Sequence, residues 1–203
     1  MKTIGIKLEE QLLVLYTALN DISPISIEVW KEIKPFFHSV SLETSEYLFK
    51  SGDIVEDFFF LTSGLARYYY PREDGKEFNK SFAVKKGHLL SSISSVAKQE
   101  PSAFSVEILS HFECLSIKYK DFLMLGDKFE EWNHLTLRIY EALTVKKERR
   151  EADFLLLSAT QRYQKFLEEY SEVVDVLPNY HIASYLGITE VGLSRIRGSL
   201  GLT

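Results

Sequence analysis

The sequence predicts an α+β protein in two parts: a small antiparallel β-barrel or sandwich, followed by helices that end in a helix-turn-helix. Three observations predict it. From Leu42 to Ile117, short runs rich in Phe, Tyr, Val and Ile are punctuated by Gly52-Asp53, Ser63-Gly64, Asp74-Gly75 and Gly87, the texture of compact antiparallel strands. After Lys118 that texture stops, and from Asp121 to Asp153 there is no proline and a single glycine, Gly126, as a long helix requires. Finally, Ile182 to Arg197 reads as two short helices about Gly187.

Composition bounds the function. The 203 residues are 45% hydrophobic and 26% charged, near the averages for a packed globular chain. A formal net charge of −5 argues against nucleic-acid binding by the whole surface, so any contact with DNA must be local. No apolar run approaches the roughly 20 residues that cross a bilayer, and Glu9 and Glu10 stand where a signal peptide carries its apolar stretch. A cytoplasmic protein with no membrane partner is therefore expected. Cys114 is the only cysteine, which forbids an intrachain disulfide and reads as an inert core thiol. His38, His88, His111, His134 and His181 fall at no metal-ligand spacing, and neither a phosphate-cradling glycine loop nor a nucleophile elbow occurs. No enzyme, metal or cofactor is expected.

Along the chain, Leu12, Leu13, Tyr16 and Leu19 mark a first helix, and Trp30, Ile33 and Phe37 a second one capped by Ser26. Phe58 to Leu61 and Leu65 to Tyr70 read as adjoining strands joined by a turn at Ser63-Gly64. Tyr68 to Tyr70 and Phe78 to Phe82 flank Asp74-Gly75, a hairpin signal because glycine supplies the positive φ of the turn. Such aromatic clusters serve more often as core than as a ligand cage. In the long helix, Trp132, Leu135, Ile139 and Ala142 form one apolar seam, which either pairs two chains or packs on its own barrel. Ser158 and Gln161 have the spacing of a capping box that opens the next helix, and Pro178 closes the segment after it.

In the last segment Ala183 is small where two helices cross, Gly187 can take the left-handed conformation, and Ile188, Leu193 and Ile196 fill the angle between the helices. Thr189 caps the second helix, which exposes Thr189, Glu190, Ser194, Arg195 and Arg197. In a major groove Arg195 could donate in bidentate fashion to guanine, while Arg197 suits a phosphate. Gly192 is an awkward helix residue, costing about 1 kcal/mol relative to alanine.

The chain resembles the CRP/FNR family of bacterial regulators through Leu48 to Asp53, Phe58 to Leu65 and Glu73 to Glu77 in the barrel. Ser158 to Tyr163, Ile182 to Thr189 and Leu193 to Arg197 resemble its Bacteroidetes-like members. The resemblance implies a double-stranded β-helix (jelly-roll) sensor at 1–125, a central dimerisation helix and hinge at 126–157 and a DNA-binding domain at 158–203. It implies a homodimer paired along Trp132, Leu135, Ile139 and Ala142 on a palindromic double-stranded operator, with RNA polymerase as a further partner. It also places an effector pocket at Gly87, His88, Leu89, Leu90, Ser91, Ser92, Ser102 and Ala103. Two features depart from the family pattern. Ser92 and Ser102 stand where cyclic-AMP binders carry a glutamate and an arginine, and a buried phosphate without its guanidinium loses charge-assisted bonds. The effector is then a small molecule other than cyclic AMP, or there is none. The second helix also stands close to Thr203, so the β-hairpin wing of many relatives is expected to be reduced or absent. The alternative reading is a small-molecule sensor that signals to a protein partner without binding DNA.

Overall fold

The computed structural model describes the backbone of residues 2–202 and the side chains of residues 7–202. Helices α1 (Lys2–Asn20) and α2 (Ile27–Ile33) precede strands β1 (His38–Leu42), β2 (Tyr47–Phe49), β3 (Asp57–Ser63), β4 (Ala66–Pro71), β5 (Glu77–Ala83) and β6 (Leu89–Leu90). A short α3 (Ile93–Lys98), β7 (Ser105–Ile108) and β8 (Phe112–Lys118) complete the barrel. The chain continues through α4 (Tyr119–Lys128), α5 (Glu130–Leu156), α6 (Ala159–Glu169), α7 (Asn179–Leu186) and α8 (Glu190–Ser199). The strands form two antiparallel sheets, ordered β1-β8-β3-β6 and β2-β7-β4-β5. This is the jelly roll of an α+β protein.

The expected hairpin at Asp74-Gly75 forms: Pro71 lies opposite Glu77, Tyr70 opposite Phe78, and Gly75 takes φ +78°. Ser63-Gly64 behaves differently from the expectation. β3 pairs with β6 and β8, whereas β4 pairs with β5 and β7, so the glycine carries the chain from one sheet to the other. At this corner the backbones nearly touch. With φ at +101°, a Cβ on Gly64 would stand 2.4 Å from the His111 carbonyl oxygen, whereas one on Gly75 would meet nothing within 4 Å. Gly75→Ala is expected to cost only the left-handed penalty of about 1–2 kcal/mol. Gly64→Ala should cost clearly more, read as a larger fall in urea midpoint; equal midpoints would contradict the corner assignment.

The barrel core takes Leu12, Leu15 and Leu19 from α1 and Trp30, Ile33 and Phe37 from α2 and the turn after it. Leu13, expected on that face, is 64% exposed. Ser26 caps α2, its Oγ accepting from Val29 N at 3.4 Å, and its own amide donates to Glu131 of α5 at 2.6 Å.

Two expectations about the long helix need correction. The segment is two helices, because Phe129 adopts an extended backbone (φ −127°, ψ 115°) between α4 and α5. Phe129 packs against the core there, and the Trp132 indole N–H donates to the Phe122 carbonyl at 3.1 Å, holding α5 against α4. A break made by tertiary packing needs no proline or glycine. Trp132, Leu135 and Ile139 are also not a seam between chains: they are buried in the core of their own barrel, while Ala142 is exposed. The outward side of α5 carries Leu137 and Val145 instead.

A second core joins Tyr163, Phe166 and Tyr170 to Ile182, Ala183, Tyr185, Leu186 and Leu193, and it includes Leu65 and Phe82 of the barrel. Phe82 of β5 meets Phe166, Tyr170 and Tyr185 at ring separations of 6.2, 5.4 and 5.7 Å. The C-terminal helices therefore pack on the barrel of the same chain.

Candidate functional site

Helices α7 and α8 are joined as the residue types require. Gly187 takes φ +70°, and the amides of Gly187 and Ile188 donate to Ser184 O at 3.2 Å and Ala183 O at 3.0 Å, closing α7. Thr189 Oγ1 accepts from Gly192 N at 3.1 Å and so caps α8. Gly192 therefore sits in the first turn, where its amide serves the cap. Leu193 is buried in the angle with Ile188 and Ile196 packed beside it, and Thr189, Glu190, Ser194 and Arg195 are exposed. Val191, outside the expected set, is 62% exposed and adjoins that face.

Arg197 is not the free phosphate ligand expected. It is half-buried, with Nε donating to the Tyr163 hydroxyl at 2.8 Å and NH1 to Asn179 Oδ1 at 2.7 Å, and it ties α8 to α6 and α7. Arg162 is likewise committed, donating to the Leu157 and Leu186 carbonyls at 2.7 and 3.1 Å.

A cavity of about 500 Å³ opens between β4, β5, α3 and α5. Of the eight residues expected in an effector pocket, His88, Leu89, Ser91 and Ala103 line it. The other four are placed elsewhere for identifiable reasons. Gly87 packs on α1, where a Cβ would lie 2.7 Å from that of Ala18. Leu90 is in the barrel core. Ser92 is buried at the start of α3, its hydroxyl 3.4 Å from that of Ser94. Ser102 donates to the Phe104 carbonyl at 2.8 Å within its own turn.

The wall that the sequence did not reveal is aromatic and cationic: Tyr68, Tyr70, Lys80 and Phe104 from the barrel side, with Lys146, Lys147 and Arg150 from α5. The Lys80 ammonium sits 3.7 Å over the Phe104 ring. Burial, helped by the nearby Lys147, lowers the Lys80 pKa to about 8. Burial, with Lys146 adding to it, brings His88 down to about 4. Among the described residues, five cations line the cavity and no carboxylate does. A second cavity of about 710 Å³ shares His88, Lys146 and Arg150 with it and continues toward Phe166 and Tyr185.

Helix α7 docks on the edge strand β5. The Ser184 hydroxyl donates to Glu77 O at 2.7 Å and accepts from Asn79 N at 2.9 Å. The Asn79 side-chain oxygen accepts from Arg67 at 3.1 Å, which leaves its amide nitrogen to face His181 Nδ1 at 3.2 Å. Since that nitrogen only donates, Nδ1 must accept and the ring must be neutral. Burial and then the Arg67 charge lower the His181 pKa to about 4.

Acid should therefore weaken the fold. The unfolded histidine, at its ordinary value near 6.5, takes a proton before the folded one does, so acidification between about 6.5 and 4 favours unfolding. The urea midpoint is expected to fall over that window, and His181→Gln should flatten the fall. His88 contributes with the same sign, so the difference between the two proteins isolates His181; identical pH profiles would refute its share.

Residues 39–128 match the cyclic nucleotide-binding domain family. No curated protein matches the sequence. Among solved structures, the chain is similar to the c-di-GMP responsive global regulator CLP of Xanthomonas campestris, at 14% identity and a TM-score of 0.68, over 87% of this chain and 92% of that one. It is similar to a CooA variant from Carboxydothermus hydrogenoformans at 16% identity and a TM-score of 0.67, over 82% and 77%. FixK2 from Bradyrhizobium japonicum aligns at 20% identity and a TM-score of 0.64, over 81% and 84%. No helix is long and apolar enough to cross a membrane among the described residues. Residues 39–128 are thus similar to a cyclic nucleotide-binding domain, and the chain shares its overall fold with these solved structures.

Proposed function

We propose that the protein is a cytoplasmic DNA-binding transcriptional regulator that acts as a homodimer and answers to a small-molecule effector other than cyclic AMP. The observation that carries this reading is the capped helix α8, whose outer face holds Arg195 free of intramolecular partners among the described residues. Bidentate donation from such an arginine to guanine is the commonest base-specific contact in a major groove. The division into a sensor at 1–125, a linking helix at 126–157 and a reader at 158–203 belongs to the same proposal.

With a net charge of −5 and both Arg162 and Arg197 held inside the domain, a single reader offers few phosphate contacts. Two readers on a palindromic operator supply what one lacks. Leu137 and Val145, 54% and 41% exposed on the outer side of α5, are the residues we assign to the pairing of chains. The cavity beneath α5 is assigned to the effector. Neither Ser92 nor Ser102 lines it, which fits an effector held by other means than those of the cyclic-AMP binders. RNA polymerase is the partner through which transcription would respond.

The test is a fluorescence-anisotropy titration with fragments from upstream of the protein's own gene. Sequence-selective, salt-sensitive binding is expected. Equal affinity for a scrambled fragment would instead favour the second reading, a sensor that signals to a protein partner, which the scarcity of free cations around α8 supports.

A further inference from the structure

One side chain belongs both to the cavity wall and to the docked reader. Arg150 of α5 lines the 500 Å³ cavity together with Lys80, Lys146 and Lys147. Its NH2 group donates to Asn79 O on β5 at 3.3 Å and to Tyr185 O, in the last turn of α7, at 3.0 Å. Its guanidinium lies 3.8 Å from the Tyr185 ring centroid and 4.8 Å from that of Phe154. All these partners are neutral, and no carboxylate pairs with Arg150 among the described residues. Lys146 by contrast is paired with Glu169 at 2.7 Å.

The wall chemistry defines a ligand class. Tyr68, Tyr70 and Phe104 offer rings to a planar group, and Lys80, Lys147 and Arg150, which pair with no carboxylate among the described residues, offer positive charge to an anion. An anion adds the attraction of opposite charges to the hydrogen bond, which a neutral carbonyl does not, so a seated anion competes for Arg150 against the carbonyls of Asn79 and Tyr185.

Building on the assignment of this cavity to the effector, we propose that an aromatic anion seated there draws Arg150 away from Tyr185 and Asn79 and so releases α7 from strand β5. The differential contact that such a switch requires is the Arg150–anion bond, which the undocked state makes and the docked state does not. Without Arg150, the polar hold of α7 on the edge of β5 is reduced to the neutral contacts of Ser184 and His181, beside the apolar contact of Tyr185 with Phe82. Release frees the helix pair α7–α8 to take up the spacing that a two-fold operator demands.

The probe is 1-naphthyl phosphate, with neutral 1-naphthol as its control. Binding is measured by calorimetry, and docking by hydrogen exchange of the Asn79 amide, whose bond to Ser184 Oγ exists only when α7 is seated. In the unmodified protein the phosphate is expected to bind and to accelerate exchange in β5 and α7 several-fold, while 1-naphthol does neither. Lys80→Met should weaken binding at least about ten-fold while leaving Asn79 protected. Arg150→Gln should exchange fast without ligand, still bind the phosphate through Lys80 and Lys147, and show no further acceleration. Binding that leaves Asn79 protection unchanged overturns the Arg150 switch while the effector cavity stands. No binding, or equal binding of 1-naphthol, overturns the cavity assignment and the switch together.

Discussion

Arg195→Ala is expected to abolish selective DNA binding in a protein that stays folded. The side chain is exposed and carries no hydrogen bond or ion pair among the described residues, so its removal leaves no orphaned partner. One bidentate arginine–guanine pair discriminates by about 1–3 kcal/mol, and a two-fold site doubles it. Operator affinity should therefore fall at least about thirty-fold, read by anisotropy at fixed salt, with an unchanged melting temperature. Arg197→Ala provides the contrast: it deprives the Tyr163 hydroxyl and Asn179 of their donor, so both stability and DNA binding should drop. Unchanged operator affinity in the Arg195 variant would remove α8 as the reader.

Trp132→Ala is expected to be the most destabilising single change in α5. The side chain is fully buried, with its ring 6.3 Å from Phe37 and 5.2 Å from Phe122. Truncating a buried tryptophan costs about 3–5 kcal/mol through lost transfer energy and the cavity left behind. The Phe122 carbonyl also loses its donor, worth about 1–3 kcal/mol more if it stays dry. Against a total stability of roughly 5–15 kcal/mol this is a large fraction, and the urea midpoint should drop accordingly. The result separates the two fates of the seam. Were Trp132 an intersubunit residue, its loss would shift the monomer–dimer equilibrium and spare the monomer; a stability loss below about 1 kcal/mol with such a shift would restore the pairing seam.

Local chemistry was readable directly. The hairpin at Asp74-Gly75, the Ser26 cap, the Ser158–Gln161 capping box and the turn at Gly187 each depend on residues a few positions apart, whose φ preference or hydroxyl acts on the nearest amides. The outward face of α8 was equally readable, because helical spacing separates Leu193 from Ser194 and Arg195 whatever the helix packs on.

Apolar spacing showed that Trp132, Leu135 and Ile139 share one face of α5, but an apolar stripe is satisfied as well by the chain's own barrel as by a second chain. Periodicity carries no partner. The break at Phe129, the corner at Gly64 and the commitment of Arg197 to Tyr163 were silent for the same reason, since each is imposed by an element distant in sequence. The cavity shows this most plainly. Lys80 on β5 and Arg150 on α5 meet only because the barrel folds beneath the helix, and no short-range signal marks either as part of one wall. The sequence by itself determined the strands, turns, caps and the helix pair about Gly187, because those depend on the conformational preferences of neighbouring residues. Only the tertiary structure decided which apolar face was buried, which arginines stayed free and which cations line the cavity, because burial and pairing are properties of residues brought together across the chain.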